Sequence, residues 1–439
     1  MTDLVSSLSP LDDPPDAPLE TLRRREDAWR STHRVEALWP GLDVAVIQSA
    51  ADAIGTAVRG VLRGEHTALA FAATGPDAER RARAVGVAAL LTGVGPLLGT
   101  WIASGDLETE PAIARVLARH LAHGRAREAR IRATLMPVLA QMEREGLEPG
   151  LIKGLHSAHA YFPEPGARPF ADVDVVVPPA AIAHAERLLG DAGFVPEQRL
   201  GTTTYKREWL PPDGPGDVWS YEVWHARSRW KLDLHDGLNF REVLEYVRTP
   251  QVPRFTDVLT IDGVTFRVAD PNESIALFAA HASTELYSQR LLRLVELVFV
   301  VRRATALGTL DWGAVESSLA ERGSMQFAYP MLALAERLVP DTVDVALLAR
   351  LAMATTARAR VVTSSLSPTA PILDASFSLR ERLIWASGLR ATMRWMWRMV
   401  VPLEGASRSR QLRTYRHRAM RLLTLGRSRR SHSDAARDG

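Results

Sequence analysis

The sequence predicts an α+β protein, with a small mixed β-sheet core flanked by an N-terminal and a C-terminal helical region. Three observations predict it. Apolar residues recur at helical spacing through 112–145 (Ile113, Val116, Leu117, Leu121, Ile131, Leu135, Val138, Leu139, Met142). Between 202 and 268 the period changes to two, in segments rich in Thr, Tyr, Trp and Val. From Asn272 the helical period returns. The resulting organisation is a flexible leader over 1–22, a helical region over 23–145, an α/β core over 146–270, a helical domain over 271–425 and a disordered basic tail over 426–439.

Composition narrows the function classes. Hydrophobic residues are 46% and charged residues 24% of the 439, an ordinary globular balance. The absence of cysteine excludes disulfide scaffolds, thiolate zinc sites and cysteine nucleophiles, and fits a cytoplasmic protein. A net charge of +3 gives no global field for nucleic acid. The basic residues are nearly all arginine, and the three lysines are Lys153, Lys206 and Lys231. Base composition of the gene is the plain explanation for that bias, yet each retained lysine is conspicuous. An ammonium is a compact point charge suited to a phosphate oxygen.

The elements follow in order. Residues 1–18 are acidic and proline-rich, with no basic stretch leading into an apolar one, so no secretory signal is expected. Residues 84–105 carry no charge, but Gly93, Gly95, Pro96 and Gly99 predict a buried helix pair broken at Gly95-Pro96 rather than a membrane span. Gly146 stops the long helix of 112–145. Leu151-Ile152 reads as a short strand, 155–161 as a helix, 173–177 as a strand and 181–192 as an amphipathic helix ended by Gly193. Strands are expected at 202–209, 218–224 and 230–235, then a hairpin of 258–261 and 264–268 turning at Asp262-Gly263. Helices occupy 272–303, 345–362, 378–399 and 407–425.

Chemistry concentrates around Asp172-Val173-Asp174. Two carboxylates two residues apart on a strand leave the same face, and like charges so close call for a cation between them. A hard divalent ion that takes carboxylate oxygens and keeps positions open for phosphate is the natural partner. In Lys231-Leu232-Asp233-Leu234-His235, alternation sends Lys231, Asp233 and His235 to one side and Trp230, Leu232 and Leu234 to the other. If that strand lies beside the first, Asp233 becomes a third acid, the number that holds a pair of cations in phosphoryl chemistry.

With these residues the chain resembles a bacterial family of nucleotidyltransferase-like proteins in the polymerase-β-type superfamily, whose members occur beside lasso-peptide and other natural-product genes. The resemblance rests on Leu151-Ile152-Lys153-Gly154, on Arg168 shortly before Asp172-Val173-Asp174, on Asp233-Leu234-His235, and on Asp270-Pro271-Asn272-Glu273 leading to His281. It covers about 110–300 and makes the core a nucleotidyltransferase unit. It implies metal-dependent transfer of an NMP from a nucleoside triphosphate to an acceptor, with release of pyrophosphate. Asp172, Asp174 and Asp233 are then the catalytic acids and the ligands of Mg²⁺ (or Mn²⁺). Gly154 lets the backbone approach the triphosphate; His235 shares the face of Asp233, and His281 either faces the site from the C-terminal helices or makes an ordinary i,i+4 pair with Glu285. Lys153 reads as a phosphate ligand or as a solvated cap. Arg168 reads as a phosphate ligand or as a pin for the loop before the metal strand.

Two departures from the family pattern bear on the nucleotide contacts. The superfamily's Gly-Ser or Gly-Gly turn is here Lys153-Gly154-Leu155, with Ser157 the nearest hydroxyl, and Glu296 stands where an Asp is usual after His281. The acceptor is open among a small natural product, a peptide, an RNA end and a protein. The rival readings are a catalytically silent nucleotide-binding or scaffold relative, and an interaction protein working through the C-terminus. There Arg390, Arg394 and Arg398 interleave with Trp395 and Trp397 ahead of an arginine-rich stretch, a pattern that grips nucleic acid or an anionic membrane when it is not simply a solvated helix face. His156 and His159 share a helix face but lack further zinc ligands, so they read as ordinary core or surface histidines.

Overall fold

A computed structural model of the chain describes residues 35–72, 77–197, 206–212, 229–237, 253–282 and 291–370, with isolated residues besides. Nearly all of these fall in one compact unit formed by 1–197 and 205–385. The leader, the 218–224 strand, and the helices expected at 378–399 and 407–425 with their basic segment lie outside the described residues or are described at isolated positions only.

The N-terminal part is helical, as expected, with one addition. Helices α1 (Val35–Leu38), α2 (Val44–Leu62), α3 (Ala78–Thr92) and α4 (Gly95–Ser104) precede the 34-residue α5 (Pro111–Arg144). Between them β1 (Thr67–Leu69) and β2 (Leu107–Thr109) pair in parallel, a two-stranded sheet the sequence pattern did not announce. Three residues are too few for a period of two to register. Helices α3 and α4 meet at a bend of 117°, with Gly93 at φ 81° and Pro96 opening the second helix. Their apolar residues lie inside the helical core. Among the described residues no single helix is long and apolar enough to cross a membrane, although this bent pair would pass on length and composition.

Among the described residues the core is a seven-stranded mixed sheet of order β5-β6-β7-β4-β3-β9-β8. Its strands are β3 (Gly150–Ile152), β4 (Asp172–Val176), β5 (Val195–Pro196), β6 (Lys206–Leu210), β7 (Lys231–His235), β8 (Asp257–Ile261) and β9 (Val264–Val268). Helix α6 (Gly154–Ala160) follows β3, and α7 (Ile182–Asp191) follows β4. The β8–β9 hairpin turns, as expected, at Asp262 (φ 50°) and Gly263 (φ 81°), both in the left-handed region that a tight hairpin turn requires.

Alternation gives the sheet two unlike faces. Val173, Val175, Leu232, Leu234, Leu151 and Phe266 point one way, onto the second half of α5 (Ile131, Leu135, Val138, Leu139, Met142) and onto Leu188 and Leu189 of α7. Ile152 and Val176 point the other way and join the large helical core. That second core unites the N-terminal helices with α8 (Pro271–Ala282), α9 (Leu291–Ala306), α10 (Trp312–Glu321), α11 (Met325–Leu338), α12 (Val345–Ala354) and α13 (Ala357–Ser365). The helices on the two sides of the sheet segment in sequence therefore share one apolar interior. The acids of interest leave the sheet on this side.

Candidate active site

The site begins with register. Strands β4 and β7 run parallel, with Asp172 opposite Lys231, Asp174 opposite Asp233 and Val176 opposite His235. Residues opposite one another in neighbouring strands share a face, so Asp172, Asp174, Lys231, Asp233 and His235 project together. On the far side of β7, antiparallel β6 sets Glu208 opposite Asp233 and Lys206 opposite His235. On the near side, β3 sets Ile152 opposite Asp174 and so delivers Lys153 beside it. The three acids that sequence reasoning set together are thus brought together in space.

Two of them are deeply buried: Asp174 is 3% exposed, Asp233 1% and the neighbouring His235 2%. His235 Nε2 lies 2.9 Å from Asp174 Oδ1, and Lys153 Nζ donates to the same oxygen at 3.2 Å. Lys206 Nζ donates to Asp233 Oδ2 at 2.7 Å, and Lys231 Nζ lies 3.2 Å from Asp233 Oδ1. Glu208 Oε1 receives Lys206 at 3.0 Å and Lys231 as well. All three lysines of the chain therefore bear on this one cluster of carboxylates.

The electrostatics follow from that crowding. Burial pushes the half-buried Asp172 up to about 6, reinforced by the charges of Asp174 and Asp233, so the three carboxylates interact strongly with one another. Burial would also raise Asp174, but the Lys153 charge and the His235 hydrogen bond outweigh it and hold this carboxyl well below the usual range. Glu208 is likewise drawn down to about 2, its burial outweighed by the two lysines. Lys206 is held above the ordinary lysine value because Asp233 and Glu208 outweigh its desolvation. At neutral pH the cluster is a dense array of paired charges.

Burial first, and then the charge of Lys153, hold His281 well below the ordinary histidine value; Asp174 and Lys206 also act on it. The end of α8 thus brings this ring within the field of the site. Glu285, its companion in sequence, lies outside the described residues. Lys153 carries a second mark: its backbone sits at φ 53°, ψ −125°, a sparsely populated region for a side-chain-bearing residue. Gly154 follows because a Cβ there would lie 3.0 Å from the Asp172 carbonyl oxygen and 3.2 Å from Phe170 Cβ. The glycine has a packing reason independent of any ligand.

Arg168 meets a carboxylate of the C-terminal helices. Its Nε and Nη2 reach Glu296 Oε1 of α9 at 2.8 and 2.7 Å, in a pair with both side chains buried. This ties the loop before β4 to the C-terminal helices. Among the described residues, His156 and His159 join no group of metal-ligating side chains. His156 packs edge-on against Tyr161, and His159 Nε2 lies 3.0 Å from Glu128 Oε1. Ser157 Oγ is buried without a hydrogen-bond partner among the described residues.

Sequence reasoning singled out the lysines as unusual but gave Lys206 and Lys231 no role, and it missed Glu208 and Arg127. Buried Arg127 of α5 donates to the Phe170 carbonyl at 2.9 Å and to the Arg229 carbonyl at 3.0 Å, clamping the chain just before β4 and just before β7. The scarcity of lysine was the available signal for the first two. Nothing local marked Arg127.

Among the described residues, the group able to hold a metal ion is Asp174, Asp233 and His235, each offering a ligand atom within 4.8 Å of the others. The donor set fits a divalent cation. It offers two buried carboxylates and one imidazole, with Asp172 adjacent.

No curated protein and no solved structure matches the chain. A family described as "uncharacterised nucleotidyltransferase" matches residues 85–340, from α3 through the sheet and into the last residues after α11. Register, buried acids and a match over more than half of the length lead to one conclusion: the chain belongs to this family of uncharacterised nucleotidyltransferases.

Proposed function

We infer that the protein is a divalent-metal-dependent nucleotidyltransferase that moves an NMP from a nucleoside triphosphate to an acceptor and releases pyrophosphate. The observation that carries the reading is the convergence of Asp172, Asp174 and Asp233 on one face of two adjacent strands within a chain of this family. Asp174 and Asp233 hold the cation, Mg²⁺ or Mn²⁺, with Asp172 completing the acidic set. Such a cation, when bound, neutralises phosphate charge and lowers the barrier to attack at the α-phosphorus.

The chain's own residues do the rest. His235, hydrogen-bonded to Asp174 Oδ1, orients that carboxylate. Lys153 offers its ammonium to a phosphate from a backbone turn that aims it into the site. Gly154 keeps the turn close against β4. Asp233 helps to deprotonate an acceptor hydroxyl. His281 faces the cluster from α8 as an uncharged ring able to hydrogen-bond substrate. Arg168 pins the loop before β4 through Glu296 rather than touching phosphate. Catalysis of this kind rests on positioning and charge neutralisation. The acceptor class is a small natural product, a peptide, an RNA end or a protein, and dependence on a nucleoside triphosphate suits the cytoplasm.

One observation favours a second reading, a catalytically silent nucleotide-binding relative: Lys206 and Lys231 already neutralise Asp233. A single experiment separates the two. The four nucleoside triphosphates are supplied with Mg²⁺ or Mn²⁺, and pyrophosphate release is followed for the wild type and Asp172→Ala/Asp174→Ala. Release by the wild type alone supports the enzyme. Nucleotide binding without release supports the silent relative, and equal release from both proteins removes the proposed mechanism.

A further inference from the structure

Lysine is the rarest basic choice in this chain, and all three copies converge on the acids. Two of them bracket Asp233, Lys206 on Oδ2 at 2.7 Å and Lys231 beside Oδ1 at 3.2 Å. Both also reach Glu208, one strand further out in the sheet. Asp233 and Glu208 therefore share two ammonium groups across the β6–β7 pairing. Asp233 is 1% exposed, so its charge is balanced from within the protein. A cation that takes both oxygens of Asp233 meets the two ammonium groups already there.

We propose that Lys206 and Lys231 are resident counter-cations that compete with the divalent cation for Asp233, and that Glu208 receives them when the cation binds. The idea rests on reading this face as the cation site of a nucleotidyltransferase. Release from Asp233 is a small step, because each ammonium already touches Glu208 and keeps that counter-charge, the two then sharing one carboxylate. The divalent cation thus binds weakly to the nucleotide-free protein, and the ammonium groups it displaces remain on the site face, where a polyphosphate is the fitting anion.

The test uses Mn²⁺ alone as probe, followed by calorimetry on the full chain without nucleotide. Lys206→Met is expected to bind Mn²⁺ about tenfold more tightly than the wild type, since one charged hydrogen bond no longer opposes the ion. Arg207→Met is the control for a general loss of positive charge, because Arg207 pairs with Glu186 and Asp236 instead; it is expected to stay within about twofold. A second measurement does not depend on a variant folding well. Three lysines give three ¹³Cε signals in a lysine-labelled sample, and Mg²⁺ is expected to shift those of Lys206 and Lys231 in step with binding. Unchanged or weaker Mn²⁺ binding by folded Lys206→Met, or Mg²⁺ binding that leaves both signals in place, overturns the competition. If the wild type binds Mn²⁺ and Asp174→Asn loses it, the cation site itself stands whichever way the lysine result falls. If folded wild type, Lys206→Met and Arg207→Met all fail to bind Mn²⁺, both this inference and the cation site are overturned.

Discussion

Removing Arg168 offers a sharp test of how the site is held. Its guanidinium makes two contacts, of 2.8 and 2.7 Å, to one oxygen of Glu296, and the two side chains are only 10% and 6% exposed. Arg168→Met leaves the Glu296 carboxylate buried without its partner. Breaking a buried pair from one side costs about 3–5 kcal/mol. Replacing both members by apolar groups of similar volume removes the stranded charge as well, and such replacements are often neutral or better. Arg168→Met/Glu296→Leu is therefore expected to regain most of the stability lost by the single variant. Urea denaturation of the four proteins in the cycle measures the coupling directly. A loss below about 1 kcal/mol for Arg168→Met, the range of surface pairs, refutes the reasoning. So does a double variant no more stable than the single one. The double variant also decides between structure and ligand. If it is stable yet has lost triphosphate affinity, Arg168 serves phosphate directly rather than pinning the loop.

Further outcomes follow from single residues. Lys153→Gly and Lys153→Ala lose the same ammonium, but the glycine also relieves the backbone at φ 53°, so Lys153→Gly is expected to be about 1 kcal/mol the more stable while both lose turnover; equal midpoints in denaturant would show that the turn carries no strain. Gly154→Ala drives a methyl against the Asp172 carbonyl and Phe170, and is expected to cost about 1–3 kcal/mol, checked by thermal melting. Burial, helped by the charges of Arg119 and Arg168, lowers His123 to about 4 and His156 to about 3 from an ordinary 6.5. Between 6.5 and those values the unfolded chain binds the protons the folded one refuses, so stability falls as pH falls. Each histidine contributes about 2 kcal/mol of loss at pH 5 relative to neutral pH. A smaller loss between pH 7 and 5 in His156→Asn than in the wild type is the expected result, and an identical loss would contradict it.

Much of the site was legible because it is written in strand alternation. The Asp-x-Asp pair and the alternating Lys231, Asp233 and His235 announce their shared faces, and parallel pairing of β4 with β7 needs no more than one correct register to join them. The hairpin at Asp262-Gly263 was equally readable, since it depends on local backbone chemistry; the helix break falls at Gly93-Val94, two residues before the expected Gly95-Pro96, because proline is also at home in the first turn of a helix. What escaped depends on long-range contact. Arg127 meets carbonyls 43 and 102 residues away, and Arg168 meets a carboxylate 128 residues away. No local pattern encodes such partners. Glu208 escaped because its neighbours in β6 look like any exposed strand until β7 is laid beside it. The β1–β2 pair escaped through brevity, and the shared core of the flanking helices because amphipathic faces do not name their partners.

The central claim is that three acids from two strands hold a divalent cation for attack of an acceptor on a nucleotide's α-phosphorus, moving the NMP to the acceptor and releasing pyrophosphate. Anomalous diffraction from crystals grown with Mn²⁺ and a non-hydrolysable nucleoside triphosphate tests it most directly. The account predicts an anomalous peak in contact with Asp174 and Asp233, within reach of Asp172, and bridging to the phosphates. Well-ordered nucleotide bound elsewhere, or a site face on which Lys206 and Lys231 still grip Asp233 with no Mn²⁺ beside it, would contradict the claim.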